Sequence, residues 1–166
     1  DKQLFERLVT VTLQDLRTDR DLLSELVYRA IKVKADIVER DERESGDRRK
    51  LNLGHTLAHA IEKSSSKMNH GEAVAVGLSL ISEVAVRRGI MAEKDKQRID
   101  NLLTKFGFSL CPPVEVRHLL REVKKDKKSE GNQIYIVFPE KIGSCRVEKM
   151  AIEDFVECFN KKREIN

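Results

Sequence analysis

Residues 70–89 read HGEAVAVGLSLISEVAVRRG. From Ala73 to Val86 apolar side chains occupy nearly every face of a helical projection, and a helix that is apolar all round belongs at the centre of a fold. Arg87 and Arg88 followed by Gly89 form a helix stop, because cations suit the negative end of the helix dipole and glycine accepts the left-handed conformation beyond it. The remaining segments are read as the layers around this helix.

Immediately upstream, Ser64, Ser65 and Ser66 interrupt a helical pattern that begins with LNLGHTLAHAIEK, residues 51–63. Before it lies DERESGDRRK, residues 41–50, a charged loop containing Gly46. Further back, Asp19 or Asp21 caps a long amphipathic helix, along which Leu23, Leu26, Val27, Ala30, Ile31, Ile37 and Val38 recur at three-to-four spacing. The line from Val27 through Ile31 continues to Lys34, so a cation is expected to face inward; the plainer reading is a lysine whose stem snorkels along the core edge. Leu4, Phe5, Leu8 and Val9 already describe a helical stripe and the first residue is Asp1 rather than Met. The expectation is that an upstream portion has been removed.

Downstream, a helix is predicted to run to about Phe106 with Gly107 at its end, and Pro112 and Pro113 to start another carrying Val116, Leu119, Leu120 and Val123. Ile134, Ile136 and Phe138 alternate with Tyr135 and Val137 as in a strand ending at Pro139, and SCRVEK after Gly143 completes a small hairpin. A last amphipathic helix carries Ile152, Phe155, Val156 and Phe159. The predicted class is mainly α: one helical domain over residues 1–166, a bundle with one short β-hairpin.

Composition narrows the function. The 166 residues are 40% hydrophobic and 36% charged, with no Trp, which is a helix-rich chain with enough apolar material for one core. Net charge is +4, from 32 basic and 28 acidic residues, and argues weakly for small anionic partners. Cys111, Cys145 and Cys158 are far apart and form no CxxC, a pattern suited to a reducing cytoplasm. No apolar run approaches the roughly 18 to 20 residues that cross a bilayer, so no membrane partner is expected.

All four histidines fall between residues 55 and 118, and His55, His59 and His70 lie within 16 residues. Side chains four apart on a helix share a face, with Cβ atoms about 5 to 6 Å apart, so His55 and His59 can address one object. His70, at the start of the next helix, can reach the same point. A catalytic zinc takes about three protein ligands and keeps one open position. Spacing leaves the ligand set open between His55 with His59 and either one with His70, and a chance HxxxH on a solvated face is the bland alternative. Lys34, Arg48 and Asn52 lie upstream on flanking segments, and KKDKK, residues 124–128, adds cations. Such a set can hold a small polyanion. Alone, KKDKK reads as a solvated helix end, and nucleic-acid binding is disfavoured because no aromatics interleave with it.

The string KADIVERDERESGDRRKLNLGHTLAHAIE, residues 34–62, followed by NHGEAVAVGL, residues 69–78, resembles the signature of 3-dehydroquinate synthases. Its parts are Lys34, the DExExGxR of Asp41 to Arg48, the LNxGHTxxHAxE block and HGEAV; the likeness continues to DKK at 126–128 and KIG at 141–143. Leu57-Ala58 stands where Phe-Gly is common, and the SSSKMN connection before His70 is short. The resemblance implies the helical C-terminal domain of a two-domain shikimate-pathway enzyme, whose N-terminal NAD-binding domain is absent from this chain. It implies a divalent metal, zinc or another such as Co2+, held by His55, His70 and a glutamate upstream of Asp1. It implies further that His59 is a substrate-side residue near the phosphate, that Lys34 and Arg48 hold the substrate's carboxylate and hydroxyls, and that Asn52 makes a polar contact. Lys127, or else Lys128, is expected to reach phosphate. Expected partners are a sugar phosphate substrate and, in the intact enzyme, a second copy in a homodimer. Competing readings are another sugar-phosphate cyclase, a metal-dependent dehydrogenase of the glycerol dehydrogenase kind, and a non-catalytic helical module that binds an acidic partner or nucleic acid.

Overall fold

The stretch 70–89 forms the central helix that its sequence spells. The computed structural model describes residues 1–43, 46–127 and 132–160. In chain order these form α1 (Lys2–Thr10), α2 (Leu13–Thr18), α3 (Arg20–Arg40), a 3-10 turn (Asp47–Asn52), α4 (His55–Ser64), α5 (His70–Arg87), α6 (Glu93–Lys105), α7 (Val116–Lys127), β1 (Gln133–Lys141), β2 (Ser144–Ala151) and α8 (Ile152–Asn160). The fold is mainly α with one antiparallel ribbon, β1–β2.

Helix α5 supplies the centre of the core with Ala73, Val76, Ile81, Val84 and Ala85. Against it pack Leu57, Ala58, Ala60 and Ile61 of α4, Leu119, Leu120 and Val123 of α7, Ile134, Ile136 and Phe138 of β1, and Ile152 and Phe155 of α8. Full burial of each large side chain contributes roughly 1.5 to 3 kcal/mol. No helix among the described residues is long and apolar enough to cross a membrane.

Several boundaries differ from expectation. LNLGHTLAHAIEK is not one helix: the 3-10 turn runs through Asn52, Gly54 adopts a left-handed φ of 79°, and α-helix begins at His55. The cause is a close crossing. A Cβ on Gly77 would stand 2.3 Å from the Gly54 carbonyl oxygen, and one on Gly54 would stand 2.9 Å from the backbone nitrogen of Leu78. Two glycines therefore let the chain turn directly against α5. Strand β1 continues past Pro139 to Lys141, with a register shift there; in a two-stranded ribbon a proline's missing N–H can face the open edge. Helix α7 starts at Val116, after the two prolines.

Lys34 does not face inward. It is exposed, and Leu26 alone is buried on α3. Leu23, Val27, Tyr28 and Ile31 stand 42%, 49%, 66% and 62% exposed, so the apolar stripe that predicted an inward face is uncovered among the described residues. Helix α3 instead packs against α1, α2 and the 3-10 turn, which in turn rests on β1 and β2, with the Arg49 guanidinium 3.7 Å from the Tyr135 ring centre.

Candidate functional site

The periodicity of α4 separates its two faces. Leu57, Ala58, Ala60 and Ile61 go into the core, while His55, His59 and Glu62, spaced by four and three, share the opposite face. The start of α5 is set by a capping box. Asn69 Oδ1 accepts from the Glu72 backbone N–H at 3.0 Å, and the Asn69 N–H donates to Glu72 Oε2 at 2.8 Å. This box fixes where α5 begins and hence where its first residue, His70, stands.

The packing of α4 on α5 gathers the three histidines. Ring centres lie 5.3 Å apart for His55 and His70, 6.0 Å for His55 and His59, and 6.3 Å for His59 and His70. Each ring has its Nδ1 beside an oxygen. Nδ1 of His55 is 3.1 Å from the Leu53 carbonyl, Nδ1 of His70 is 2.9 Å from Glu62 Oε1, and Nδ1 of His59 is 3.3 Å from Glu62 Oε2. Carbonyl and carboxylate oxygens only accept, so Nδ1 donates in His55 and His70, where the neutral ring then carries its free lone pair on Nε2, while His59 turns Nδ1 toward its carboxylate oxygen at ion-pair distance. The hydrogen bond from His70, then the charges of His70 and His59, hold the Glu62 carboxyl below its ordinary pKa against a smaller upward push from desolvation.

Loop and turn place the other polar groups. Asp41 Oδ2 accepts from the backbone N–H of Gly46 at 2.7 Å and of Arg48 at 3.0 Å, and an Arg48 guanidinium nitrogen donates to the Glu42 carbonyl at 2.8 Å. Arg48 is half-buried and Asn52 exposed at the two ends of the turn that leads into α4. Lys34 makes no hydrogen bond or ion pair among the described residues. Lys128 and the side chain of Lys127 lie outside what is described.

The donor set suits a borderline cation in part. Two or three imidazoles with Nε2 free, each oriented by an oxygen on the other nitrogen, are the arrangement found around zinc. Among the described residues, however, no three His, Cys, Asp or Glu side chains are placed to hold an ion by themselves.

Residues 1–129 match the family model described as 3-dehydroquinate synthase C-terminal. The chain belongs to this family. It is 37% identical over 161 residues to the 3-dehydroquinate synthase of Campylobacter concisus, a match covering 95% of the chain and 45% of that protein. It is 36% identical over 150 residues to that of Helicobacter pylori strain P12, covering 89% of the chain and 42% of the relative. The chain thus spans less than half the length of these relatives. Among solved structures, ValA, a 2-epi-5-epi-valiolone synthase from Streptomyces hygroscopicus with NAD+ and Zn2+ bound, aligns with a TM-score of 0.79 at 18% identity, over 95% of this chain and 45% of that one. A 2-deoxy-scyllo-inosose synthase complexed with carbaglucose-6-phosphate, NAD+ and Co2+ aligns at 0.70 and 22%, over 83% and 40%. These two share the fold of the chain.

Glu62, Asp41 and the Gly54–Gly77 pair have structural roles that the motifs alone do not assign. The signal for Glu62 was present, since it follows His59 by three and His55 by seven on one helical face.

Proposed function

We propose that this chain is the metal- and substrate-binding C-terminal half of a 3-dehydroquinate synthase, which converts 3-deoxy-arabino-heptulosonate 7-phosphate to 3-dehydroquinate and phosphate. The observation that carries the reading is the convergence of His55, His59 and His70 with every Nδ1 beside an oxygen, in a chain 37% identical to a synthase of that name. An NAD-binding domain upstream completes the enzyme. The uncovered stripe Leu23, Val27 and Ile31 supports that division, because a large apolar face calls for a cover, and Lys34 continues the same line of the helix.

In this reading His55 and His70 are the ligands for zinc or a related divalent ion, with a glutamate from the upstream half. Such an ion would supply Lewis-acid polarisation of a substrate hydroxyl, and NAD held by the upstream half would supply the redox chemistry. The residues of this chain hold the substrate. Arg48 has one N–H on the Glu42 carbonyl and the rest of its fork available for a carboxylate. Lys34 adds a movable point charge, and Asn52 pairs with a hydroxyl. His59 stands on the phosphate side, where Lys127 or Lys128 joins it. Fixing a polyanion in one pose removes much of the entropy cost of elimination and ring closure. Without its other half the chain lacks a ligand and the cofactor and is expected to be inactive.

A second reading is a sister sugar-phosphate cyclase, favoured by the fold shared with the valiolone and inosose synthases. The test joins the chain to its NAD-binding half and measures phosphate release from the heptulosonate phosphate with NAD and Zn2+, for wild type, His55→Ala and Arg48→Ala. Release that depends on metal and NAD and is lost in both variants is the expected result. A folded, metal-loaded protein that releases no phosphate would point to a sister cyclase, and one that binds no metal would return the chain to the non-catalytic class.

A further inference from the structure

The carboxylate of Glu62 stands between two imidazoles, with Oε1 2.9 Å from Nδ1 of His70 and Oε2 3.3 Å from Nδ1 of His59. Glu62 is two-thirds shielded while both histidines are more than half exposed, at 32% against 57% and 56%. No lysine or arginine competes for it among the described contacts. Its position follows from α4 alone for His59, three residues away, but depends on the packing of α4 against α5 for His70, eight residues away across the connection.

We infer that Glu62 is a positioning residue that fixes the Nδ1–H tautomer of His59 and His70 together, so that both rings present Nε2 to the same space. This rests on the proposed metal role of His70. The two oxygens of one carboxylate serve one ring each, so a metal-side and a substrate-side imidazole are held in register by a single group. A lone imidazole favours the opposite tautomer, with the proton on Nε2, and would have to rearrange before binding through that nitrogen. His55 does not depend on Glu62, because the Leu53 carbonyl orients it. It serves as the internal control. Losing an orienting group of this kind costs about 10- to 100-fold in metal affinity.

The experiment uses the full-length protein with 15N-labelled histidine, in metal-free form at alkaline pH, comparing wild type with Glu62→Ala and Glu62→Gln. Imidazole nitrogen shifts report the tautomer of each ring directly, and competition with a coloured chelator reports Zn2+ affinity. In Glu62→Ala, His59 and His70 should shift toward the Nε2–H form while His55 stays, and Zn2+ affinity should fall by about 10- to 100-fold. Glu62→Gln keeps the size but offers one accepting oxygen, so it should release one ring and hold the other, which decides the matter if the alanine variant fails to fold. Unchanged shifts at His59 and His70 in a folded variant would overturn the inference. A wild type that binds no Zn2+ would sink the proposed function instead, and the tautomer shifts would still be read.

Discussion

Helices α3 and α5 have similar lengths, 21 and 18 residues, and opposite fates: α3 buries only Leu26, while α5 buries nine residues, including Gly77, Ser79 and Ser82. Both carry apolar residues at helical spacing. The difference lies in what surrounds them. Helix α5 is packed by α4, α6, β1 and α8, whereas on α3 Leu23, Val27 and Ile31 stand 42%, 49% and 62% exposed and Lys34 continues their line in solvent. An apolar stripe therefore says that a helix needs a cover, and leaves open whether that cover is close in sequence.

The sharpest way to break the comparison is Gly77→Ala. Its new Cβ would stand 2.3 Å from the Gly54 carbonyl oxygen, at the crossing that brings His55 beside His70. Separating the helices there should cost about 3 kcal/mol or lose the fold, as read by urea denaturation. A variant of unchanged stability would mean that the crossing relaxes freely.

Next comes a matched pair. Leu57→Ala removes a side chain only 1% exposed and should cost roughly 2 to 5 kcal/mol. Ile31→Ala, at a site 62% exposed, should stay within about 0.5 kcal/mol in this chain. A loss at Ile31 equal to that at Leu57 would show that α3 is covered. Repeating Ile31→Ala with the upstream half attached sharpens the test, because a cover supplied by that half makes the same substitution costly.

The smallest expected effect is at the α5–α6 contact, where Glu83 lies 3.1 Å from Arg87 Nε and 3.5 Å from Lys96 Nζ. Burial pushes the Glu83 carboxyl up, but the bond to Arg87 and the charges of Lys96 and Arg87 together hold it below its ordinary 4.5. With the folded value depressed, the stabilisation is present above pH 4.5 and is lost as pH falls through the folded value. Glu83→Gln should lower the neutral plateau slightly and leave stability below the folded value almost unchanged, so that the acid limb flattens. An unaltered acid limb would show that the ion pairs contribute nothing.

Element type was legible wherever periodicity was long. The all-round apolar run of α5, the alternation around Ile134 to Phe138 and the stripe of α8 each form what their spacing predicts, since 3.6 and 2.0 residue periods are properties of the chain alone. Boundaries were legible only where a cap was local. The close crossing that ends the 3-10 turn and starts α4 depends on Leu78 and Gly77, more than 20 residues downstream of Gly54, and no local pattern announces it.

For the site, sequence by itself determined the inventory: three histidines within 16 residues, a same-face pair at four-residue spacing, and cations upstream. Tertiary structure decided which of these meet. The packing of α4 on α5 brought His70 to 5.3 Å from His55 and placed Glu62 between two rings, while the packing of α3 on α1, α2 and the 3-10 turn left Lys34 in solvent. The physical reason is that the direction of a side chain from its own helix is a local property, whereas its neighbours across a helix pair depend on how closely two backbones approach. Here that approach is set by the absence of a Cβ at Gly54 and Gly77.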